Sequence, residues 1–91
     1  MKKAFVTVTG DDKVGIIASV AVKLASYNTN ILDITQTVMK DDVFVMIALV
    51  DMEAANAPFH EMKEGLAQLG EEMGLSIRIQ REDIFSAMHK V

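Results

Sequence analysis

The eight consecutive apolar residues of Val43–Val50 limit the fold of this chain more than any other segment. The run is too short to span a bilayer as a helix, which needs about 20 such residues. Its β-branched residues favour a strand, and apolar residues at both parities are typical of a central strand with little water on either face. The run therefore predicts the middle of a β-sheet.

Three further segments carry strand patterns on either side of that run. Ala4–Thr9 is rich in β-branched residues and is followed by Gly10, which ends it. Ile31–Met39 and Leu75–Arg81 alternate between apolar and polar residues, which is typical of half-buried strands. In the first of these two segments the apolar parity is Leu32, Ile34 and Val38. We expect both alternating strands at the edges of the sheet.

A first amphipathic helix is predicted between Gly10 and about Tyr27. Asp11 and Asp12 can cap its free N–H groups, and Asn28 can close it in the left-handed conformation. The apolar positions at helical spacing, which we expect to be buried, are Val14, Ile17, Ala21, Leu24 and Ala25.

A second helix is predicted with Pro58 in its first turn and Gly74 after its last. Its apolar face is predicted at Phe59, Met62, Leu66, Leu69 and Met73. Gly65 lies beside that face, where it either permits close approach to the sheet or is neutral. A short terminal helix is predicted over about 83–90.

The predicted order is βαββαβ. Right-handed crossovers then place both helices on one face of a four-stranded antiparallel sheet, which is the ferredoxin-like arrangement of an α+β protein. The whole chain, 1–91, is too short for more than one domain. Since the helices cover one face, Val43–Val50 presents an apolar row to the open face. We therefore expect a homo-oligomer, formed by stacking sheets or pairing edges.

Composition excludes several functional classes. The chain has no cysteine, which removes disulfides, thiolate metal sites and cysteine nucleophiles. Its 13 acidic and 9 basic residues give a net charge of −4, a poor match to nucleic acid. It carries neither a signal-peptide pattern nor an apolar run long enough for a membrane. We expect a cytoplasmic protein without nucleic-acid or membrane partners.

The loop between the first strand and the first helix is the most informative segment for function. Gly10 and Gly15 have the spacing of a phosphate-binding loop, but the required Lys-Ser/Thr is absent and two aspartates would repel phosphate. An amino acid fits better, because the helix N-terminus suits a carboxylate while Asp12 and the amide of Asn30 suit an ammonium group. The alternative is that the aspartates only cap the helix and that Asn30 only satisfies a turn.

The sequence VTVTGDDKVGIIASVAVKLASYNTNILDITQT resembles an ACT domain. That family commonly reads G-x-D-[KR]-P-G-[IV] after strand 1 and Asn-Ile at strand 2. The matching residues here are Gly10, Asp12, Lys13, Gly15, Ile16, Asn30 and Ile31. The later FVMIALVD and EDIFSAMHKV are similar to small stand-alone bacterial ACT proteins, akin to glycine-cleavage-type regulators. Val14 stands where proline is frequent, and Gly10 where some serine-binding members carry a polar residue.

The resemblance implies a non-catalytic regulator that binds an amino acid or related metabolite between two copies and signals to a partner protein. The loop of one copy would line the ligand with Asp12, Lys13, Val14, Gly15 and Ile16. Strand 2 of the other copy would close the site with Asn30, Ile31 and Leu32. No cofactor is implied, and a dimer is the expected assembly. The alternatives are an adaptor without a small ligand and an acylphosphatase-like enzyme, against which the loop's lack of arginine argues.

Other candidate residues carry weaker patterns. His60 and Glu64 are four residues apart on the second helix, but nothing supplies a third metal ligand. Neither Gln36 nor His89 is assigned a role, and no serine, histidine and aspartate set indicates catalysis. We expect no metal site.

Overall fold

The computed structural model describes residues 2–82 and confirms the βαββαβ order. The elements are β1 (Lys3–Asp11), α1 (Ile16–Ser26), β2 (Asn30–Met39), β3 (Val43–Asp51), α2 (Phe59–Met73) and β4 (Leu75–Arg81). The strands form one antiparallel sheet in the order β2-β3-β1-β4. The prediction of a ferredoxin-like fold with β1 and β3 inside is therefore confirmed. The terminal helix predicted over 83–90 lies outside the described residues.

Both helices pack on the same face of the sheet. The core combines Val20 and Leu24 of α1 and Leu66 of α2 with alternate residues of the inner strands, such as Val6 and Ala48. In the described part of the chain no helix is both long and apolar enough to cross a membrane. The one-sided cover leaves the other face of the sheet open.

The prediction for the buried stripe of α1 is confirmed at Leu24, holds in part at Ala21, which is half-buried, and was wrong at Val14, Ile17 and Ala25. The structure buries Ile16, Val20 and Leu24, whereas Val14 is fully exposed and Ile17 is exposed. The helix begins only at Ile16, so Val14 belongs to the preceding loop and the helical spacing counted from it is out of phase.

The expected aspartate cap of α1 was also wrong. Gly15 is the N-cap, with φ 90° and ψ 5°, and no side chain bonds the free N–H groups of the first turn. Asp11 is instead the last residue of β1. Asn28 adopts the expected left-handed conformation, with φ 57°, just beyond the helix.

On β3, the expectation of little water on either face holds for one face only. Phe44, Met46, Ala48 and Val50 are buried under the helices. The opposite parity is partly exposed, and Val43 and Ile47 are its most exposed members. The apolar row expected on the open face is therefore present.

β2 is more exposed than the half-buried strand that its alternation predicts. A break in register between Ile31 and Asp33 puts Ile31 on the same face as Ile34, which strict alternation along the strand does not predict. Beyond the break, Ile34 pairs with Ala48 and Val38 with Phe44, so both lie on the helix-covered side. They are nonetheless 39% and 51% exposed, because β2 is an edge strand that the helices of its own chain leave uncovered.

The apolar face of α2 is confirmed. Met62 and Leu66 are buried, and Phe59, Leu69 and Met73 pack against the core. Pro58 is the N-cap, one residue before the helix, and Gly74 follows the last turn with φ 70°.

Close helix–sheet approach is provided by Gly70 rather than by Gly65. A Cβ at Gly70 would lie 2.6 Å from the carbonyl oxygen of Leu75 on β4. A Cβ at Gly65 would collide with the hydroxyl of Tyr27, which follows α1. Gly65 therefore permits packing between helices, and Gly70 fits α2 closely onto β4.

Candidate functional site

The loop that joins β1 to α1 is fixed by both of its glycines. At Gly15 the backbone adopts φ 90°, a left-handed conformation that side chains disfavour. At Gly10 a Cβ would lie 2.6 Å from a methyl carbon of Leu75, so glycine lets the end of β1 approach the start of β4. The sequence motif thus has a structural basis that does not depend on any ligand.

Hydrogen bonds anchor the loop to two other parts of the molecule. The N–H of Asp12 donates to the carbonyl oxygen of Asp42 in the β2–β3 turn at 2.8 Å. The ammonium group of Lys13 donates to the carbonyl oxygen of Met73 at the end of α2. A cation is favourable at that position because the C-terminus of a helix carries partial negative charge. The loop is therefore held in place while much of its surface stays accessible.

The accessible surface of the loop combines three chemically different groups. The Asp12 carboxylate is exposed, and so is the apolar side chain of Val14. Space beside Gly15 is open, since a Cβ there would meet no atom within 4 Å. Behind it lie the first N–H groups of α1, and the N-cap supplies no side chain to accept their hydrogen bonds. Ile16 reaches this surface only through its backbone, because its side chain is buried in the core.

Asn30, Ile31 and Leu32 lie at the opposite end of the sheet from this loop. Asn30 pairs with Asp51, which also pairs with Lys3 at the start of β1. The loop begins after Asp11, eight residues further along that strand. At ~3.3 Å per residue, roughly 26 Å separates the two groups. One chain therefore does not bring the two halves of the predicted site together.

The start of β2 is held in position by side chains that the sequence pattern did not reveal. The buried hydroxyl of Thr29 donates to the carbonyl oxygen of Leu24 at 2.7 Å. The amide of Asn28 donates to Ala54 at 2.8 Å, and that of Asn56 to Ser26 at 3.1 Å. Polar residues at a helix end are common in any sequence, so only the structure distinguishes these contacts.

Between the two halves of the predicted site runs an exposed apolar edge. Leu32, Ile34, Val38 and Met39 of β2 are all exposed, and Met39 pairs with Val43 at the end of the sheet nearest the loop. Gln36 pairs with Met46 within this edge and is exposed as well. The edge therefore connects Asn30 to the loop along its whole length.

The other candidates lie apart from this edge. His60, Glu61 and Glu64 are exposed on α2, and residues 2–82 contain no group of three or more ligating side chains that could hold a metal. A pocket of about 430 Å³ lies between the start of β1 and α2, lined among others by Lys3, Met52 and Arg81. A groove of about 850 Å³ follows β4. Neither cavity is lined by a predicted ligand residue.

The strand order and the two helices on one face are those of a small α+β domain of ferredoxin-like fold. Residues 3–80 match the family model of the ACT domain. The chain therefore belongs to the ACT domain family, and its predicted resemblance to that family is confirmed.

Relatives of the same length support this assignment. UPF0237 proteins of Methanocaldococcus jannaschii and Bifidobacterium longum are 45% and 46% identical over 91 residues, which is the full length of both chains in each comparison. The solved ACT domain protein from Streptococcus pneumoniae has a TM-score of 0.81 and 38% identity over 92% of this chain and 93% of that one.

A more distant structure shares the fold alone. Formyltetrahydrofolate deformylase from Pseudomonas syringae has a TM-score of 0.81 and 23% identity, over 89% of this chain but only 28% of that one. The fold is thus found both in chains of this length and within a much longer enzyme.

Proposed function

We propose that this chain is a non-catalytic regulatory module whose dimer binds an amino acid or a related small metabolite. The single observation that carries the proposal is the separation of the two halves of the site along β2. The loop lies at one end of the edge strand and Asn30 at the other. A second copy is the simplest way to bring them together.

A two-fold axis perpendicular to the sheet, placed beside β2, produces that arrangement. It pairs the β2 strands antiparallel, so that the Asn30 end of one strand lies beside the Met39 end of the other. The loop adjoins the Met39 end, because Asp11 and Met39 both pair with Val43. Each dimer then contains two identical sites, and each site draws its loop from one copy and Asn30 from the other.

The exposed side chains of β2 support the same pairing. An uncovered apolar edge is a hazard for a chain that stays alone, and edge strands are normally protected by charge, by cover or by a partner. Ile34 and Val38 lie on the side of β2 that faces the helix layer, next to residues buried in the core. A second copy paired at β2 would continue the sheet and bring its own helices alongside, and these would cover both side chains.

The chemistry of the site fits a zwitterion. The first N–H groups of α1 and its positive dipole end suit a carboxylate. The Asp12 carboxylate and the Asn30 amide oxygen of the other copy suit an ammonium group. Val14 on the loop and Leu32 on β2 supply apolar contacts for a side chain. Lys13, whose ammonium group bonds Met73, would need to leave that carbonyl to reach a ligand.

Signalling to a partner protein follows from the position of the ligand. A ligand bound by both copies stabilises the dimer by a free energy that grows with the logarithm of its concentration relative to its dissociation constant. It also ties the loop of one copy to β2 of the other, so that occupancy alters the surface formed by both. The regulated protein would respond to that altered surface.

Calorimetry with each of the twenty amino acids tests the proposal. We expect at least one to bind the dimer at millimolar concentration or more tightly. If none binds, the amino-acid form of the proposal is wrong, and an adaptor that acts without a small ligand becomes the better interpretation.

A mixing experiment tests whether the site is shared. Asp12→Ala and Asn30→Ala each damage every site of their own dimers. In a random mixture half of the dimers are mixed, and each of these has one intact site out of two, so about a quarter of the sites recover. If mixing restores no sites, Asp12 and Asn30 do not complete one site across the dimer, and the shared site is wrong.

A further inference from the structure

A groove runs along the outer edge of β4, on the opposite side of the sheet from β2. We call it the β4 groove. It is lined by Phe59, Lys63 and Ala67 of α2 and by residues 75–81 of the strand, and its volume is about 850 Å³. Ile77 and Ile79 are buried beside α2, whereas Arg78 and Gln80 on the same strand are exposed. The groove therefore has a closed apolar side and a polar side open to a partner.

The charge of the β4 groove is opposite to that of the protein. Among residues 2–82, its lining contains Lys63, Arg78 and Arg81 and no aspartate or glutamate. Arg78 and Arg81 are the two arginines of the chain, which has 13 acidic residues against 9 basic ones. Because the charged residues of this lining are all cationic, the groove favours a negatively charged occupant. Complementary charge steers association and fixes register.

The backbone of β4 adds a second kind of recognition. Within residues 2–82 the sheet ends at β4, which pairs with β1 on its inner side. Alternate N–H and C=O groups of an edge strand point outward, where an extended peptide can pair with them. Gly70 holds α2 tightly against the start of this strand, so the edge is a rigid template.

From these observations we propose that the β4 groove docks an acidic, extended segment of a partner protein as a fifth strand. The segment would pair with the β4 backbone and place carboxylates near Lys63 and Arg78. A single-stranded nucleic acid fits less well, since binding of that kind uses aromatic rings on which bases stack. Among the described residues of the lining, Phe59 is the one aromatic residue, and the Arg81 guanidinium lies 5.4 Å from its ring centre.

The site does not depend on the proposed ligand or on pairing through β2. In a dimer joined at β2, the two β4 grooves would lie at the two far ends of the combined sheet. Two acidic segments of one partner could then bind one dimer without contact between them.

The probe is a labelled peptide, Thr-Glu-Glu-Val-Glu-Glu-Thr, whose glutamates fall on both faces of an extended strand. A second peptide, in which lysine replaces each glutamate, is its control. Fluorescence anisotropy measures binding to the full chain, and backbone amide NMR locates it. We expect the acidic peptide to bind, with shifts confined to β4 and to the adjoining side of α2, and the basic peptide not to bind.

Two charge reversals test the groove directly. Arg78→Glu and Lys63→Glu are each expected to weaken binding of the acidic peptide about fivefold, since each turns an exposed attraction into a repulsion. Lys40→Glu is the matched control, because Lys40 is exposed in the β2–β3 turn and changes the net charge by the same amount. It should leave binding within twofold, and equal urea midpoints would show that all three variants are folded.

Four results would overturn the proposal. These are no binding of the acidic peptide, equal binding of both peptides, and NMR shifts outside β4 and α2. The fourth is an oligothymidylate that competes at the same site with equal or greater affinity, which would assign the groove to phosphodiesters.

Discussion

The two edges of the sheet share one backbone pattern but differ in what covers their side chains. On β4, the residues facing the helices are buried by α2, and the exposed residues are polar or charged. On β2, Ile34 and Val38 face the same layer and are apolar but exposed. The difference shows that the apolar side chains of β4 are covered within one chain, whereas those of β2 are left uncovered.

This comparison explains why one edge is proposed for a second copy and the other for a partner. Burying β2 gains free energy from apolar area, at ~25 cal/mol per Å². Pairing at β4 depends on backbone hydrogen bonds and charge, which give specificity more than affinity. A permanent contact and a reversible contact therefore suit different edges. Each of the four predictions below tests one element of that contrast.

The largest effect is expected at the contact that completes β4. Gly70→Ala places a Cβ 2.6 Å from the Leu75 carbonyl oxygen, and neither backbone can move away cheaply. Overpacking costs ~1–3 kcal/mol, and a clash with backbone belongs at the upper end of that range. Alanine gains about 1 kcal/mol of helix propensity over glycine, so we expect a net loss of about 2 kcal/mol in unfolding free energy. Urea denaturation measures it.

Gly65→Ala is the control for that variant, since its new methyl group meets the end of the Tyr27 side chain rather than backbone. We expect a smaller loss there. Equal losses at both positions would mean that β4 is not held more rigidly than the contact between the helices.

The second effect concerns β2. Ile34→Glu puts a charge into the proposed apolar contact and should raise the dissociation constant of the dimer by about tenfold or more. Analytical ultracentrifugation measures that constant. Val22→Glu is the matched control, because Val22 is 70% exposed on α1 and carries a similar apolar side chain. A dimer insensitive to Ile34→Glu but broken by a charge at Ile47 would move the interface to the open face of the sheet.

A third, smaller effect is expected where β2 begins. Thr29→Val removes the buried hydroxyl that bonds the Leu24 carbonyl oxygen at 2.7 Å, and should lower the unfolding free energy by about 1 kcal/mol. Thr29→Ser keeps the hydroxyl and separates the hydrogen bond from the lost methyl group. The backbone N–H groups of Tyr27 and Thr29 also donate to that carbonyl oxygen, at 3.1 and 3.2 Å, so a neutral valine would show that these two bonds suffice.

The smallest effect is expected at Lys13. Replacing it by methionine keeps most of the aliphatic chain but removes the cation at the C-terminus of α2, for a loss of about 0.5 kcal/mol. The difference between the two proteins should shrink as salt screens the charge. Thermal unfolding at low and high ionic strength measures it, and a loss independent of salt would contradict the electrostatic account.

The sequence predicted the sheet well because its strands differ so clearly in burial pattern. Val43–Val50 is apolar at both parities and lies inside, and the alternating strands lie at the edges. The element order then determined the topology, since right-handed crossovers leave few alternatives.

Local backbone conformation was the part that periodicity did not predict. The left-handed Gly15 delays α1 to Ile16, which moves the buried stripe away from Val14 and Ile17. The register break between Ile31 and Asp33 puts Ile31 on the same face as Ile34 and Val38, which strict alternation does not predict. Both are single-residue events, and averaging over a helical or strand repeat conceals them.

The sequence predicted which residues form the candidate site, but it did not predict where they lie relative to one another in the fold. The motif identified the loop and Asn30 separately, and the register of the sheet puts them at opposite ends. That separation follows from the crossover itself, because a helix returns the chain to the end where β1 began before β2 starts. The assembly that would unite the two halves depends on a second chain, which no residue spacing encodes.

The register break in β2 also bears on how the protein avoids amyloid-like growth. An open edge can recruit strands without limit only if its ladder is regular and its donors are available. Here the ladder is interrupted at Leu32, and the carboxylate of Asp33 already accepts the N–H of Ile34 at 2.9 Å. The edge is thereby shortened to the stretch between Ile34 and Met39, which makes it a poor seed for a fibril despite its apolar composition.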